Sequence, residues 1–310
     1  MKALLLVPAL VLAATLGVLG ASCGSNGDAT PAGPVPTAPE TSTGSATEEV
    51  PPPTTTGAEG EGQGEGVEGE DGVVTYQVWW ANDDGLFVSY RTQARTPRVG
   101  TAAIEAVLEG PTELEQDNGL STAVPEGTQL LGLTIDDGIA RVDLTSEFES
   151  GGGSASMQTR LAQIVYTITQ FPTVEGVLFS LDGEPIDVLG GEGVVIDHPL
   201  TRQDYIDLLP PILVTAPTFD TETGSPVVVR GSANVFEANV TVKVLDQNED
   251  VIAETFTTAT CGTGCRGTYR VAVPFEIDHP QEGWIVVHDD DAAGAGRPPH
   301  EVRIPVFLVP

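Results

Sequence analysis

The feature that most limits how this chain can fold is a long segment that lacks the residues from which a core is built. Between residues 24 and 72 the sequence consists mainly of Pro, Thr, Ser, Gly and Glu, with ten acidic residues and no basic or aromatic one. Such a segment cannot bury enough apolar surface to offset the entropy lost on ordering. Residues 23–73 are therefore predicted to be a disordered linker, extended by proline and by charge repulsion.

The residues before this linker have the pattern of an export signal. Lys2 precedes an apolar run over residues 3–19, and small residues then lead to Cys23. The run is shorter than the roughly 20 residues of a membrane span, so a signal over residues 1–22 is favoured over an uncleaved helix. The residues before Cys23 resemble the bacterial lipobox, although Gly20 stands where that pattern usually has Leu. The resemblance implies cleavage before Cys23 and acylation of its thiol, by palmitate for example, which would hold the chain at the extracytoplasmic face of the cell membrane. Plain secretion with a free thiol stays the alternative.

The charge balance excludes one class of partner. The chain has 13 Lys and Arg against 45 Asp and Glu, a formal net charge of −32. By subtraction, about 23 of these excess negative charges fall on residues 73–310. Because binding to phosphate backbones requires a basic surface, nucleic acid is excluded as a partner.

Residues 74–209 interleave strand and helix patterns. Alternating apolar residues flank turn sequences, and Met157, Leu161, Ile164, Val165 and Ile168 recur at helical spacing. Strands are predicted at 74–80, 86–90, 130–135, 139–144 and 174–181, and helices at 100–109 and 157–168. Interleaved helices and antiparallel hairpins predict an α+β domain with helices on one sheet face.

Several motifs in this region resemble one family. They are residues 102–111, 120–128, 138–144, 163–169 and 177–183. Together they are similar to the GerMN domain of spore-germination and sporulation proteins, over most of residues 75–200. The resemblance implies an extracytoplasmic module, often found on lipoproteins, and it carries over no catalytic residue.

Residues 210–310 lose helical periodicity and alternate in short runs instead. Strands are predicted at 212–215, 227–231, 239–245, 251–258, 267–275, 283–288 and 302–309. Seven short strands in about 100 residues are typical of an immunoglobulin-like sandwich. Phe256, Tyr269, Phe275 and Trp284 are predicted to lie in its core.

This second region also resembles a known module. Residues 214–217, 225–233, 235–238 and 266–269 are similar to the immunoglobulin-like domain of bacterial spore-germination proteins. That module commonly follows a GerMN domain, and it implies binding or scaffolding.

The remaining candidate sites are few. Cys261 and Cys265, separated by a Gly-rich triplet, are predicted to form a disulfide in an exported chain. A metal site would need further cysteines, and a redox site would have two intervening residues instead of three. The histidines, His198, His279, His288 and His300, are predicted to be surface residues. Residues 246–250 are predicted to form a β-turn, and residues 288–291 a solvated loop, with weak Ca²⁺ binding as the alternative. No metal, cofactor or catalytic residue is assigned.

Two functions are compatible with these patterns. The favoured one is a non-catalytic lipoprotein, anchored to the membrane through its lipid, that binds another envelope protein or the cell wall. Because the composition is Lys-poor and rich in Ala, Gly, Pro and Val, as in high-GC genomes, modulation of a sensor kinase, as in actinobacteria, is favoured over germination. The alternative is a sensor that binds a small ligand, such as a muropeptide or germinant, in a cleft between the domains. Tyr205 and Asp204, in a predicted linking helix over 201–209, are its candidate lining residues. A hydrolase is a third alternative that no motif supports.

Overall fold

A computed structural model of the chain describes residues 72–191, 193–290, 296 and 298–310. The predicted signal, Cys23 and almost the whole predicted linker lie outside these residues. All described residues belong to one compact unit. None of the helices in this part of the chain is both long and apolar enough to cross a membrane.

The first domain combines α-helices with two hairpins and a parallel strand pair. Its main elements are β1 (Val73–Asn82), β2 (Gly85–Ala94), α1 (Val99–Glu109), α2 (Glu113–Asp117), β3 (Leu130–Asp136), β4 (Ile139–Leu144), α3 (Ser154–Ile168) and β5 (Gly176–Leu181). Three two-residue strands follow, namely β6 (Glu184–Pro185), β7 (Val188–Leu189) and β8 (Val194–Val195). β1 and β2 pair antiparallel along their whole length, while β4 pairs antiparallel with β3 and parallel with β5. The predicted α+β class is confirmed. The sequence patterns missed α2 and β6–β8, which are too short to show a periodicity.

Helix α3 closes the free edge of β1 with side chains instead of a further strand. The Gln163 side-chain amide donates to the carbonyl oxygen of Trp79 (2.9 Å), and the Trp79 N–H donates to the Thr167 hydroxyl (3.2 Å). The Gln170 amide both accepts from the N–H and donates to the carbonyl of Gln77, at 2.6 and 2.8 Å. Gln163 and Thr167, four positions apart, lie on one side of α3, and Gln170 follows in the turn just after the helix ends at Ile168. The outer backbone groups of Gln77 and Trp79 are therefore paired although no strand lies beside them.

An ion pair with a buried carboxylate fixes α2 to the hairpin. Arg91 on β2 donates two hydrogen bonds to the carboxylate of Glu115, at 2.8 and 2.6 Å. The indole N–H of Trp80 donates to the same carboxylate (3.3 Å), and so does the backbone N–H of Thr112 (2.7 Å). The last bond belongs to a capping box at the start of α2. This short helix is thus held by one carboxylate in the core.

The second domain is an immunoglobulin-like sandwich of two sheets, as predicted. Its strands are β9 (Ile212–Ala216), β10 (Thr221–Thr223), β11 (Val227–Ala233), β12 (Asn239–Leu245), β13 (Val251–Thr258), β14 (Gly267–Val273), β15 (Gln281–His288) and β16 (Glu301–Leu308). One sheet has the order β10-β16-β15-β12-β13 and the other β14-β11-β9. Val229, Val242, Val287 and Ile304 are among the fully buried residues between them. The sequence patterns missed β10, since it has three residues and pairs in parallel with β16.

Two predicted core aromatics are wrong. Tyr269 and Phe275 are buried in the core, but Trp284 is only half-buried, lies beneath the guanidinium of Arg303 and is not part of the core. Phe256 is 73% exposed. Its partner on β12 is Thr241, whose neighbours Val240 and Val242 point into the core. Since side chains alternate along a strand, Phe256 lies on the outer face of the sheet.

Candidate functional site

The segment that joins the two domains is held in place by its own capping interactions. It forms a 3-10 helix over Arg202–Leu208, with Thr201 at its N-cap. The Asp204 carboxylate accepts from the backbone N–H and hydroxyl of Thr201, at 2.7 and 2.9 Å, and its other oxygen lies 3.2 Å from Nε2 of His198. Burial opposes ionisation of Asp204, but the Thr201 and His198 hydrogen bonds outweigh it and lower its pKa. The carboxylate is therefore engaged locally.

Arg202 ties this segment to the first domain. Its Nε donates to the hydroxyl of Thr169 (2.9 Å), and a terminal nitrogen donates to the carbonyl of Tyr166 (2.8 Å). The guanidinium lies 5.7 Å from the Trp79 ring centre and 5.1 Å from that of Tyr166. The Tyr166 hydroxyl in turn donates to the carbonyl of Arg202 (3.1 Å). Burial lowers the pKa of Arg202 and raises the pKa of Tyr166 to about 12, so the Tyr166 hydroxyl keeps its proton over the usual pH range.

Arg266 ties the same segment to the second domain. One of its terminal nitrogens donates to the carbonyls of Pro210 (2.5 Å) and Leu209 (3.3 Å). The other donates to the carbonyl (3.3 Å) and hydroxyl (3.1 Å) of Ser232 on β11. Burial lowers the pKa of Arg266. One guanidinium thus joins the connecting segment to the sandwich.

Side chains of the first domain also contact the second directly. The rings of Phe87 on β2 and Phe219 stack with their centres 5.1 Å apart and their planes almost parallel. The hydroxyl of Tyr90, also on β2, donates to the carbonyl of Thr215 on β9 (3.1 Å). Strand β2 is therefore part of the junction.

Gly85, at the start of β2, lets the connecting segment approach closely. A Cβ atom at this position would lie against the carbonyl oxygen of Leu208, and the φ of +134° is one that other residues rarely adopt. No other residue fits here without moving the backbone. The turn between β1 and β2 thus has a second role at the junction.

Beside this junction lies a cleft with a volume of about 440 Å³. The connecting segment contributes Gln203, Ile206 and Asp207 to its lining, and the second domain contributes Asn234, Cys265 and Arg266. Asp207 is exposed, while the guanidinium of Arg266 already donates hydrogen bonds to the carbonyls described above. The cleft therefore presents one free carboxylate and amide groups to a ligand.

The predicted lining residues of an interdomain cleft are wrong. Tyr205 is buried, and burial raises its pKa above the usual range. Asp204 caps the connecting segment, and neither residue lines the cleft. The sequence predicts a linking helix over 201–209, but the segment is a 3-10 helix interrupted at Tyr205, whose φ is −121°.

Both domains match family models. Residues 77–187 match the family Germane, described as sporulation and spore germination. Residues 211–295 match Gmad2, described as an immunoglobulin-like domain of bacterial spore germination. The chain contains a Germane domain followed by a Gmad2 domain.

Solved structures similar to the chain cover it in part. A candidate lipoprotein from Clostridium perfringens is 24% identical, over 43% of this chain and 90% of its own length, with a TM-score of 0.32. The first GerMN domain of the sporulation protein GerM from Bacillus subtilis is 23% identical over 42% of this chain and 99% of its own length (TM-score 0.36). The tandem GerMN domains of that protein are 15% identical over 64% of this chain and 61% of theirs (TM-score 0.38). No curated protein matches the sequence significantly.

The cysteine pair of the Gmad2 domain lies at the rim of the cleft. Cys261 and Cys265 are at disulfide distance, with Cα atoms 5.8 Å apart. Between them, the backbone N–H of Gly264 donates to the side-chain oxygen of Asn234 (3.0 Å). A loop anchored in this way fixes one wall of the cleft.

The histidines and acidic turns of the Gmad2 domain form no metal site among the residues described. His288 is only 8% exposed, because β15 lies between β12 and β16, so its predicted surface position is wrong. Nδ1 of His300 lies 3.1 Å from the carboxylate of Asp289, which is 1% exposed and so is not in a solvated loop. No three His, Cys, Asp or Glu side chains in the described ranges are arranged to hold a metal ion. The turn after β12 uses an Asp246 oxygen to accept two backbone N–H groups, which is β-turn and not Ca²⁺-loop geometry.

Proposed function

We propose that this chain is a non-catalytic lipoprotein on the extracytoplasmic face of a bacterial cell membrane, where its two domains act as one scaffold. Its partner is another envelope protein or the cell wall. The observation that supports this most directly is the junction. The polar groups there bind backbone carbonyls and each other, and are not directed at a bound molecule. Such an arrangement holds the two binding modules in a fixed relative orientation. It is not an arrangement that would serve a reaction.

The anchor in this proposal is an acylated Cys23. We expect palmitate labelling of the full-length chain in a bacterial host, and we expect the label to disappear in Cys23→Ala. Cys261→Ala is the control, because that residue lies in the Gmad2 domain and should leave labelling unchanged. Labelling that persists in Cys23→Ala would exclude this anchor.

The partner is tested with the full-length chain in detergent-solubilised envelope. Under the proposal, cross-linking recovers a specific envelope protein, or the purified chain sediments with peptidoglycan. Failure in both assays would refute the scaffold function. The Lys-poor composition, typical of high-GC genomes, favours modulation of a sensor kinase over a role in germination, and a neighbouring kinase gene would support this choice.

The disulfide between Cys261 and Cys265 is part of the same proposal, since it suits an exported protein. Mass spectrometry of the unreduced chain should find the peptide that carries both residues two hydrogen masses lighter than after reduction. Because the closed loop is short, we expect the bond to contribute only about 2 kcal/mol.

A second candidate function is supported by the cleft beside the junction, with Asp207 and Asn234 in its wall. A small polar ligand with an amine or amide would suit these groups. Thermal-shift measurements with muropeptides, amino acids and Ca²⁺ test it. A ligand of the cleft should raise the melting temperature of the wild type but not of Asp207→Ala, while Asp83→Ala, on an exposed turn, should respond like the wild type. An unchanged melting temperature with every compound would rule this function out.

A further inference from the structure

Three successive carbonyl groups at the end of the connecting segment accept hydrogen bonds from two residues of the Gmad2 domain. Arg266 donates to the carbonyls of Leu209 and Pro210, as described above. The backbone N–H of Asn234 donates to the carbonyl of Pro211 (2.8 Å). The Gmad2 domain therefore holds the chain where it passes from one domain to the other.

Both of these residues depend on the disulfide loop, residues 261–265, which the cysteine pair closes. Arg266 follows this loop directly in the sequence. The side-chain oxygen of Asn234 accepts from the backbone N–H of Gly264 within the loop (3.0 Å). A movement of the disulfide loop therefore displaces both groups that hold the connecting segment.

The disulfide loop packs on residues 234–238, and each of the two segments holds the other. The N–H of Thr263 donates to the carbonyl of Val235 (3.0 Å), and the Thr263 hydroxyl accepts from the N–H of Glu237 (3.0 Å). Thr263, Glu237 and Ala238 have φ angles of +54°, +56° and +58°. Residues other than glycine rarely adopt such angles and keep them only where their surroundings impose them. Both segments should therefore relax once the loop is no longer closed.

The covalent bond that closes the loop lies within reach of a reductant. Cys265 is half-buried and lines the cleft beside the junction, and Thr263 and Gly264 at the tip of the loop are exposed. A disulfide at the surface can be attacked by a thiolate without unfolding of the chain. Because the closed loop is short, opening it removes little stability, and the reduced chain stays folded.

We propose that the disulfide between Cys261 and Cys265 is reversibly reduced by a dithiol protein of the cell envelope, and that its reduction uncouples the two domains. With the bond closed, the disulfide loop keeps Arg266 and Asn234 on the connecting segment. With the bond open, these contacts are lost and the domains move independently. This proposal rests on the scaffold function and on the disulfide proposed with it, and it adds a means of regulation.

The reduction proceeds by two exchanges. A thiolate of the dithiol protein attacks Sγ of Cys265, the sulfur on the cleft side, so that a mixed disulfide forms and Cys261 leaves as a thiolate that takes up a proton. The second thiolate of the reductant then attacks its own sulfur in the mixed disulfide, and Cys265 leaves and is protonated. Two electrons and two protons pass to the cysteine pair, and the reductant becomes a disulfide.

The first test measures whether the folded chain can be reduced. Lipidated full-length protein in detergent is treated with thioredoxin or dithiothreitol, and free thiols are trapped with iodoacetamide. Mass spectrometry should find two added groups on the peptide that carries Cys261 and Cys265, while circular dichroism stays that of the folded chain. Reduction that requires urea concentrations at which the chain unfolds would overturn the proposal.

The second test measures whether reduction reaches the junction. Hydrogen–deuterium exchange over residues 202–212 and 234–238 should become about tenfold faster after reduction, because local opening removes protection. Exchange in the hairpin of residues 73–94 should not change. The single calorimetric transition of the oxidised chain should become two. Unchanged exchange at the junction together with one transition in the reduced chain would contradict the proposal.

Two kinds of variant assign the effect to the loop. A chain with both Cys261→Ser and Cys265→Ser should show the fast exchange without reductant and should not respond to it. Asn234→Ala should speed exchange over residues 202–212 while the disulfide stays closed. Asn248→Ala is its control, because Asn248 is exposed in the turn after β12. A response of the double Ser variant to reductant, or equal exchange in the two Asn variants, would refute the assignment.

The envelope assays are carried out without reductant, and their result is therefore independent of the switch. If they recover a partner but reduction leaves the junction unchanged, the scaffold function stands and the redox control is wrong. If reduction uncouples the domains but no protein or peptidoglycan is bound, the redox control stands and the scaffold function is wrong.

Discussion

The carboxylate of Glu115 determines how the first domain responds to acid. Burial alone would raise its pKa, but the hydrogen bonds from Arg91, Ser89 and Thr112 outweigh this effect and lower the pKa from 4.5 to about 2. A carboxyl group whose pKa is depressed by folding stabilises the folded state above its unfolded pKa. This stabilisation is lost as the pH falls from about 4.5 through about 2.

Glu115→Gln should therefore cost about 2–3 kcal/mol at pH 7, and much less at pH 2. The reason is that the amide cannot replace the charge that pairs with Arg91. Urea denaturation at both pH values measures the difference. Glu113→Gln, an exposed position on the same short helix, is the control and should change stability by less than about 0.5 kcal/mol. A pH dependence in Glu115→Gln equal to that of the wild type would contradict the assignment.

At the scale of elements, two side chains of α3 and that of Gln170, just after the helix, take the place of a strand beside β1. Loss of one of them leaves buried backbone groups without a partner, and this costs more than the hydrogen bond itself is worth. Gln163 serves two segments, because its oxygen also accepts from the N–H of Ala123 (2.8 Å).

Gln163→Leu should accordingly destabilise the chain by about 2–4 kcal/mol, since it leaves the Trp79 carbonyl and the Ala123 N–H unpaired. Gln158→Leu is the matched control, because Gln158 is exposed on the same helix and should change stability by less than about 0.5 kcal/mol. Chemical denaturation measures both. Similar losses in the two variants would mean that helix propensity or solubility, not the β1 edge, is responsible.

The sequence predicted the elements well and their polar contacts poorly. The apolar spacing of Met157, Leu161 and Ile164 located α3, because periodicity reports the face that packs on the core. Gln163 and Thr167 gave no signal, since a polar residue in a helical pattern normally faces solvent. Phe256 was misplaced for the opposite reason: an aromatic residue in an alternating run normally faces inwards. Edge positions cannot be read from a single strand, because they depend on which strands pair.

At the scale of the whole molecule, the two domains are joined by contacts that a flexible connection would not need. The guanidinium of Arg266 bridges the connecting segment and the sandwich, while Phe87 and Phe219 stack across the junction. Hydrogen bonds and packed rings of this kind couple the unfolding of neighbouring domains.

We expect one calorimetric transition for the wild type and two for Arg266→Ala, because the variant loses the bonds to Leu209, Pro210 and Ser232. Arg270→Ala is the control, since Arg270 is an exposed residue on β14, the strand that begins just after Arg266. It should keep the single transition. Two transitions in the wild type would show that the junction does not couple the domains.

The position of β1 has a mechanical consequence. It is the first strand of the described chain, and it lies between β2 on one side and α3 on the other. If the chain is held at its amino end, a pulling force enters the protein through β1. That force meets the ten-residue ladder to β2 together with the hydrogen bonds from Gln163 and Gln170. Tension on the tether is therefore borne by the centre of the first domain and not by a peripheral strand that could detach alone.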